Sequence, residues 1–233
     1  MFKSFISLLF VLIFTSVSYA QTEDTKIDTT DKSKRYGLRL GGDIGKLIRS
    51  AIDSDFRGFE IMGDYRLTNN WYVAGELGTE ERTSTTDFLN STAKGNYLKG
   101  GVDYNMYRNW FGMENMIYSG FRVGASTFSQ TINSYSVYNT NQTFGQTTIT
   151  ETREIKGLNA IWGELIIGIK AETLKNLYLG LNVQLKGRIT EKKPDNFENI
   201  YIPGFNRTYD SGRFGIGFGY NISYLIPFYK KGN

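Results

Sequence analysis

The side chains with the clearest chemical potential in this sequence are two pairs of carboxylates. Glu60 and Asp64 are four residues apart, and Glu76 and Asp103 lie on separate segments. Carboxylate pairs can perform general acid–base catalysis. The chain of 233 residues contains no histidine and no cysteine, however, which excludes Ser-His and Cys-His mechanisms, thiolate nucleophiles and cysteine-ligated metals. We therefore interpret these carboxylates as members of ion pairs, and we predict a non-enzymatic protein without a cofactor or a metal site.

These charges lie on segments in which apolar residues recur at every second position. The clearest segment is the last one, where one face is apolar from Phe214 to Phe228 and the other carries small or polar residues. Strict alternation over this length is typical of a β-strand with one apolar face. Seven earlier segments repeat the pattern, and the first of them alternates Tyr36, Leu38 and Leu40 with glycine and arginine. The sequence therefore predicts eight strands.

The polar faces of these strands carry a charge in nearly every case. The predicted set is Arg39, Glu60, Asp64, Arg66, Glu76, Lys99, Asp103, Arg122, Glu164, Lys170, Lys186 and Arg188. An eight-stranded barrel is just wide enough for its own side chains to fill it. Unpaired charge is costly away from water, so we expect these acids and bases to pair as a network inside a barrel.

The connections between the predicted strands alternate between long and short. In chain order they are Asp43–Asp55, Thr68–Asn70, Glu80–Gly95, Arg108–Glu114, Gln130–Gly157, Thr173–Asn176 and Thr190–Arg213. Transmembrane barrels have this pattern because short turns face the periplasm and long loops face outward. Aromatic residues near strand ends are typical of a girdle at the membrane surface; they are Trp71, Tyr72, Tyr107, Trp110, Phe228 and Tyr229. We therefore predict an all-β protein, an eight-stranded antiparallel up-and-down transmembrane β-barrel.

The chain termini predict the route by which the protein is exported. Residues 1–20 combine an early lysine, an apolar run and small residues at 18 and 20, which indicates a cleaved signal peptide. Residues 21–34 are polar and are predicted to be a disordered periplasmic lead-in. The barrel is expected over residues 35–229, followed by a tail at 230–233. This organisation predicts the outer membrane as the location.

Three of the long connections contain features of their own. Asp43–Asp53 has apolar residues at helical spacing, which suggests either an amphipathic surface helix or a single capping turn, and we favour the turn. Gln130–Gly157 is rich in polar and aromatic residues, so it is either a binding surface or a solvated loop, and its strands are expected to extend as a hairpin. The third connection contains Tyr201, Ile202 and Phe205, which we predict to pack as an ordered lid over the barrel mouth.

The expected role is structural, adhesive or ligand-contacting, with long surface loops. The expected partners are outer-membrane lipid and the barrel-assembly machinery, and the barrel is expected to be a monomer. The scattered basic residues do not indicate nucleic-acid binding. The alternatives are a soluble periplasmic barrel with an apolar ligand inside, a narrow solute channel and a membrane enzyme.

Four stretches also resemble a known family. They are Gly58–Leu67, Gly112–Tyr118 and Lys193–Phe197 together with Tyr201–Arg207. They are similar to an uncharacterised family of exported β-barrel proteins of Bacteroidota, classified as a domain of unknown function. The resemblance spans essentially the whole mature chain and implies an outer-membrane barrel. It implies no activity, ligand or catalytic residue.

Overall fold

The computed structural model describes residues 34–107, 114–136, 148–195, 197–208 and 212–231. The predicted signal peptide, nearly all of the lead-in and Trp110 lie outside these residues. Within them, no helix is long and apolar enough to cross a membrane.

Eight long strands make up most of the described chain, and one helix follows the first of them. The elements are β1 (Lys34–Asp43), α1 (Ile44–Ile52), β2 (Phe56–Arg66), β3 (Trp71–Thr85), β4 (Leu89–Asn105), β5 (Met116–Ser136), β6 (Thr148–Ile149), β7 (Arg153–Leu174), β8 (Leu177–Glu191), β9 (Tyr201–Ile202), β10 (Asn206–Arg207) and β11 (Phe214–Lys231). Compared with the predicted barrel at 35–229, the strands begin one residue earlier and end two residues later. Lys230 and Lys231 therefore belong to β11 and not to a tail.

The long strands form a closed antiparallel ring. Each strand pairs with its neighbours in the order β1, β2, β3, β4, β5, β7, β8 and β11, and β11 pairs with β1. The short strand β6 pairs with the end of β5, while β9 and β10 form a separate two-stranded sheet. The fold is thus mostly antiparallel β, with eight strands in a ring.

The two faces of the ring differ sharply in chemistry. The outward side chains are large and apolar, and they remain exposed, as Leu165, Ile167 and Phe218 illustrate. The inward side chains include buried charges such as Asp103 and Glu164, both of which are 0% exposed. This arrangement contradicts the alternative of a barrel with an apolar ligand space inside and a charged surface outside.

The apolar part of the outer surface has a limited height. On β3 the outward face is apolar up to Leu77 and polar from Thr79, and on β5 the change falls between Ala125 and Thr127. This stretch of β5 begins at Ile117 and contains one outward serine, Ser119. A rise of about 3.3 Å per residue along strands tilted by about 40° gives it a height of about 20 Å. We call this zone the apolar band; its outward residues include Leu40, Phe59, Ile61, Val73, Leu98, Phe121, Ile167, Leu181 and Phe218.

Beyond the band, two predicted long loops are largely strand. Glu80–Gly95 continues β3 and β4 into a hairpin, which closes at a tight turn where the Thr86 N–H donates to the Leu89 carbonyl at 2.8 Å. The outer face of this extension is polar, so apolar alternation ends although the strands continue. Gln130–Gly157 likewise begins and ends in strands β5 and β7, and its residues 137–147 lie outside the described part.

Two of the predicted surface aromatics are buried instead. Tyr36 is 4% exposed, and its ring stacks on that of Tyr229 across the β1–β11 pair, with 5.2 Å between the centroids. Tyr72 is also buried, and its hydroxyl accepts a hydrogen bond from the Arg66 guanidinium at 2.6 Å. Assignment of Tyr72 to an outer girdle was therefore wrong, whereas neighbouring Trp71 lies outside and is 47% exposed.

The segment after β1 is a helix of nine residues and not the single turn that we favoured. Asp43 caps it, because its carboxylate accepts a hydrogen bond from the Lys46 N–H at 3.2 Å. Side-chain capping of this kind satisfies one of the free N–H groups at a helix start. No residue of α1 is buried.

Candidate functional site

Lys99 of β4 lies at the centre of the ring's interior. Its ammonium nitrogen is 2.9 Å from Glu76 Oε2, 3.6 Å from Glu164 Oε1 and 3.7 Å from Glu60 Oε2. These carboxylates come from β3, β7 and β2, so one cation links strands on several sides of the ring. Lys186 of β8 adds a second cation, 3.5 Å from Glu164 Oε1.

The same cluster extends through Arg122 of β5. Its Nη1 is 2.7 Å from Asp103 Oδ1, and its Nε is 3.7 Å from Glu76 Oε1. The backbone of Gly120 leaves room for this pair, since a Cβ there would lie 2.2 Å from Asp103 Oδ1. Glu76 and Asp103 are therefore two carboxylates that share one arginine. This arrangement is that of an ion-paired cluster and not of a general acid–base pair.

Asp64 of β2 forms a second cluster nearer the short turns. It lies between the Arg39 guanidinium at 2.7 Å and the Lys170 ammonium at 2.6 Å. The Arg39 guanidinium also lies over the Tyr72 ring, 4.9 Å from its centroid. Glu60 belongs to the Lys99 cluster, so Glu60 and Asp64 lie in separate clusters, each of them beside cations.

The remaining predicted charges lie at the two ends. Arg66 is 3.3 Å from Glu114, which with Glu172 also surrounds Arg35 at the short-turn end. Arg188 is apart from the network at the long-loop end, where its nearest acid is Glu191 at 3.1 Å.

At the long-loop end, residues 200–208 fold over the mouth of the ring, and we call this segment the lid. The side chains of Ile202 and Phe205 are fully buried. They pack with a cluster of inward residues from β4, β5 and β7: Tyr97, Phe128, Leu158, Ala160 and Trp162. The Phe205 ring meets the Trp162 ring edge-on, with 6.0 Å between centroids.

Polar contacts also hold the lid. The Tyr201 hydroxyl and the Gly204 N–H both donate to Glu80 Oε2 at 2.8 Å, and the Lys186 ammonium donates to the Gly204 carbonyl at 2.6 Å. Gly204 has φ +81°, a backbone conformation that other residues adopt with strain. The pKa of Tyr201 is raised well above its usual range, mainly by burial and secondly by the negative charge of the Glu80 carboxylate. The Tyr201 hydroxyl therefore keeps its proton and remains a hydrogen-bond donor.

Three members of the interior network were missed by the sequence prediction. Lys46 of α1 reaches inward to Glu80 Oε1 at 2.8 Å and to Glu60 Oε2 at 2.6 Å, and it also donates to the Tyr97 hydroxyl. Burial opposes the charge of Lys46, but the carboxylates of Glu80 and Glu60 outweigh this effect and raise its pKa. Glu80 and Tyr97 share the strand face of Glu76 and Lys99, so extending the alternation further would have found them.

An open cleft of about 540 Å³ lies beside the lid at the long-loop end. Its walls come from α1, β2, β3, the lid and β11, and they include Arg49, Phe56, Ser84, Tyr201, Asn206 and Tyr220. The Arg49 guanidinium lies over the Phe56 ring, 4.1 Å from its centroid. Ile216 and Phe218, which are exposed on the outer face of β11, also line it, so the cleft combines polar groups with apolar ones and reaches the apolar band.

Residues 1–231 match the family described as a domain of unknown function, DUF6048. The chain belongs to this family. No curated protein matches the sequence. Among solved structures, the crystal structure of Ail, the attachment invasion locus protein of Yersinia pestis, is similar with a TM-score of 0.42 and 10% identity, covering 82% of this chain and 97% of that chain.

In the described residues of this DUF6048 protein, the interior carboxylates lie in ion pairs. In the part of the chain that the structure describes, no three metal-ligating side chains come together. All four carboxylates of the two pairs identified in the sequence form ion pairs with lysine or arginine side chains. The described interior charges therefore pair with one another, and the cleft is an open space beside the lid.

Removing one buried carboxylate tests the role of the network. We expect Asp64→Asn to lower the free energy of unfolding by about 3–5 kcal/mol, because Arg39 and Lys170 would lose their shared counter-charge. The measurement is denaturant unfolding of the purified DUF6048 protein. The matched control is Glu81→Gln, which removes an exposed partner of Lys94 at 3.0 Å and should cost at most about 1 kcal/mol. Equal effects of the two changes would contradict a structural role for Asp64.

Removing one hydroxyl tests the attachment of the lid. Tyr201→Phe leaves the buried Glu80 carboxylate without one donor and should lower the free energy of lid opening by about 1–3 kcal/mol. Amide hydrogen exchange across residues 200–208 measures this change. Tyr104→Phe on the outer face is the control and should leave exchange in the lid unchanged. Unaltered protection of the lid in Tyr201→Phe would show that apolar packing alone holds it.

Proposed function

We propose that this protein is an outer-membrane β-barrel that crosses the membrane with its eight-stranded ring and has no enzymatic activity. The observation that carries the proposal is the apolar band, which surrounds a closed ring with buried charges inside. In bilayer hydrocarbon every backbone N–H and C=O must be paired, which a closed ring achieves. The height of about 20 Å is close to the ~25 Å apolar zone of such barrels. Export follows from the predicted signal peptide.

The long-loop end is the surface that serves the function in this proposal. The hairpin of β3 and β4 extends beyond the apolar band with a polar outer face, and the cleft opens at the same end. Aromatic, hydroxyl and guanidinium groups in the cleft support contact with a polar surface ligand, in keeping with an adhesive or ligand-contacting role. The ion pairing of the interior carboxylates supports the absence of catalysis.

The strongest test of the proposal changes one side chain within the apolar band. Ile167 is 65% exposed near the middle of the outward face of β7. We expect Ile167→Arg to cost about 2–4 kcal/mol, as a cation near the bilayer midplane does. Asn159→Arg is the control, since Asn159 shares that face but lies beyond the band. Unfolding of both variants in phospholipid vesicles gives the comparison, and similar costs would contradict the membrane assignment.

The location itself can be tested on the unaltered chain. We expect the protein in the outer-membrane fraction, and we expect its unboiled form to migrate faster on a denaturing gel than its boiled form. A closed ring with this many inter-strand hydrogen bonds resists detergent until it is heated. Recovery in the soluble periplasmic fraction without a change in migration would overturn the proposal.

The packed interior argues against a solute channel. Asp103 and Glu164 in the middle of the ring are fully buried, and the lid covers one end with Ile202 and Phe205. We therefore expect no step-like currents when the full-length protein is inserted into planar bilayers. Regular conductance steps from protein that passes the gel test would contradict this expectation.

A further inference from the structure

Helix α1 is amphipathic, and its orientation is the reverse of what a helix on a soluble protein adopts. A surface helix normally turns its apolar face to the core and its polar face to water. In α1, Leu47, Ile48 and Ile52 are 47%, 57% and 80% exposed, and no residue of the helix is buried. The apolar face is therefore turned away from the rest of the chain.

The polar side of α1 makes the contacts with the ring. Lys46 reaches inward to Glu60 and Glu80, and one turn later the Ser50 hydroxyl accepts from the Gly58 N–H at 2.7 Å. At about 100° per residue, Ile48 points to the opposite side of the helix from both Lys46 and Ser50. Specific polar contacts therefore fix the direction in which the apolar face points.

The apolar face of α1 lies next to the apolar band. The helix follows β1 directly, one short step beyond exposed Leu40, and it packs against β2 and β11, which carry exposed Phe59 and Phe218 in the band. The helix and the band thus form neighbouring apolar surfaces at the long-loop edge of the ring.

The cation that α1 turns away from the interior is Arg49. Lys46 is bound inward by Glu60 and Glu80, whereas Arg49 is exposed and lies 3.4 Å from Asp53 at the end of the helix. No acidic residue lies between Ile44 and Ile52. Arg57 points outward on β2, two residues beyond Phe59, so it lies at the upper edge of the band. Amphipathic helices with cations beside an apolar face lie in the membrane interface, about 5–10 Å into the boundary between headgroups and acyl chains.

We propose that α1 is an interfacial helix that inserts Leu47, Ile48 and Ile52 into the lipid leaflet at the long-loop end of the barrel. This inference rests on the proposed function, because it requires the apolar band to lie in a bilayer. It adds a lipid contact beyond the strands. The contact holds one wall of the cleft, which contains Lys46 and Arg49, at the level of the lipid headgroups.

Fluorescent labels at single cysteines test the proposal, and the chain has no cysteine of its own to remove. The variants are Ile48→Cys on the helix, Ile167→Cys in the band and Asp87→Cys at the exposed turn between β3 and β4. Each full-length variant carries an environment-sensitive dye and is inserted into vesicles of phosphatidylcholine and phosphatidylglycerol. Nitroxide-labelled lipids, with the nitroxide near the headgroup or at mid-chain, quench the dye, and iodide reports access from water.

Because such helices lie at a shallow depth, we expect the dye at Ile48 to be quenched by the headgroup-level nitroxide. The dye at Ile167 should be quenched by the mid-chain nitroxide. The first quenching should be at least about half as strong as the second. The dye at Asp87 should respond to iodide alone. Quenching by lipid at Ile167 but not at Ile48 would overturn the interfacial helix and leave the barrel intact. If the dye at Ile48 is also protected from iodide in that case, a second copy or another protein covers the helix, and the interfacial helix is overturned as well. Absence of lipid quenching at Ile167 would instead overturn the proposed function.

Discussion

The fold depends on the pairing of charges in a space that water does not fill. Lys99 is 1% exposed and has three carboxylates within 3.7 Å, each from a different strand. A buried cation without such partners is strongly destabilising, so the ring must bring these strands together in one register. Asp64 has the same role for β1 and β7 through Arg39 and Lys170. The interior pairs therefore specify which strands face each other, while the backbone ladder closes the ring.

The outer surface follows from this arrangement of the interior. Because alternate residues of a strand point to opposite faces, each inward charge leaves an outward position for an apolar side chain. Exposed residues such as Ile167 and Phe218 would favour aggregation in water, and large exposed apolar surfaces mark contact sites. The outward cations and amides begin only beyond the band, at positions such as Arg57 and Asn159. This change in chemistry along a single strand face is the physical basis of the membrane proposal.

Period-two alternation predicted the eight strands and which charges share one face, because both depend on side-chain direction. The alternation of long and short connections and the aromatics at strand ends then favoured the interior for that face. Period-two alternation failed where the backbone or the environment changes. The Tyr36 ring is buried where it stacks against Tyr229 of the neighbouring strand, a contact between distant parts of the chain that no pattern within β1 encodes. The hairpin after Leu77 was interpreted as a loop because its outer face is polar, and Glu80 was missed with it. Lys46 was missed for another reason: its contact with Glu60 depends on how α1 docks, which no pattern within the helix encodes.

Glu80 connects the two elements that cover the long-loop end. Its Oε2 accepts from the Tyr201 hydroxyl and the Gly204 N–H of the lid, and its Oε1 is 2.8 Å from the Lys46 ammonium of α1. A fully buried carboxylate that loses donors on one side depends more heavily on the partner that remains on its other side. The lid and the helix therefore share one electrostatic anchor. Since both elements also line the cleft, Glu80 is the contact that the lid shares with the helix that we place at the lipid surface.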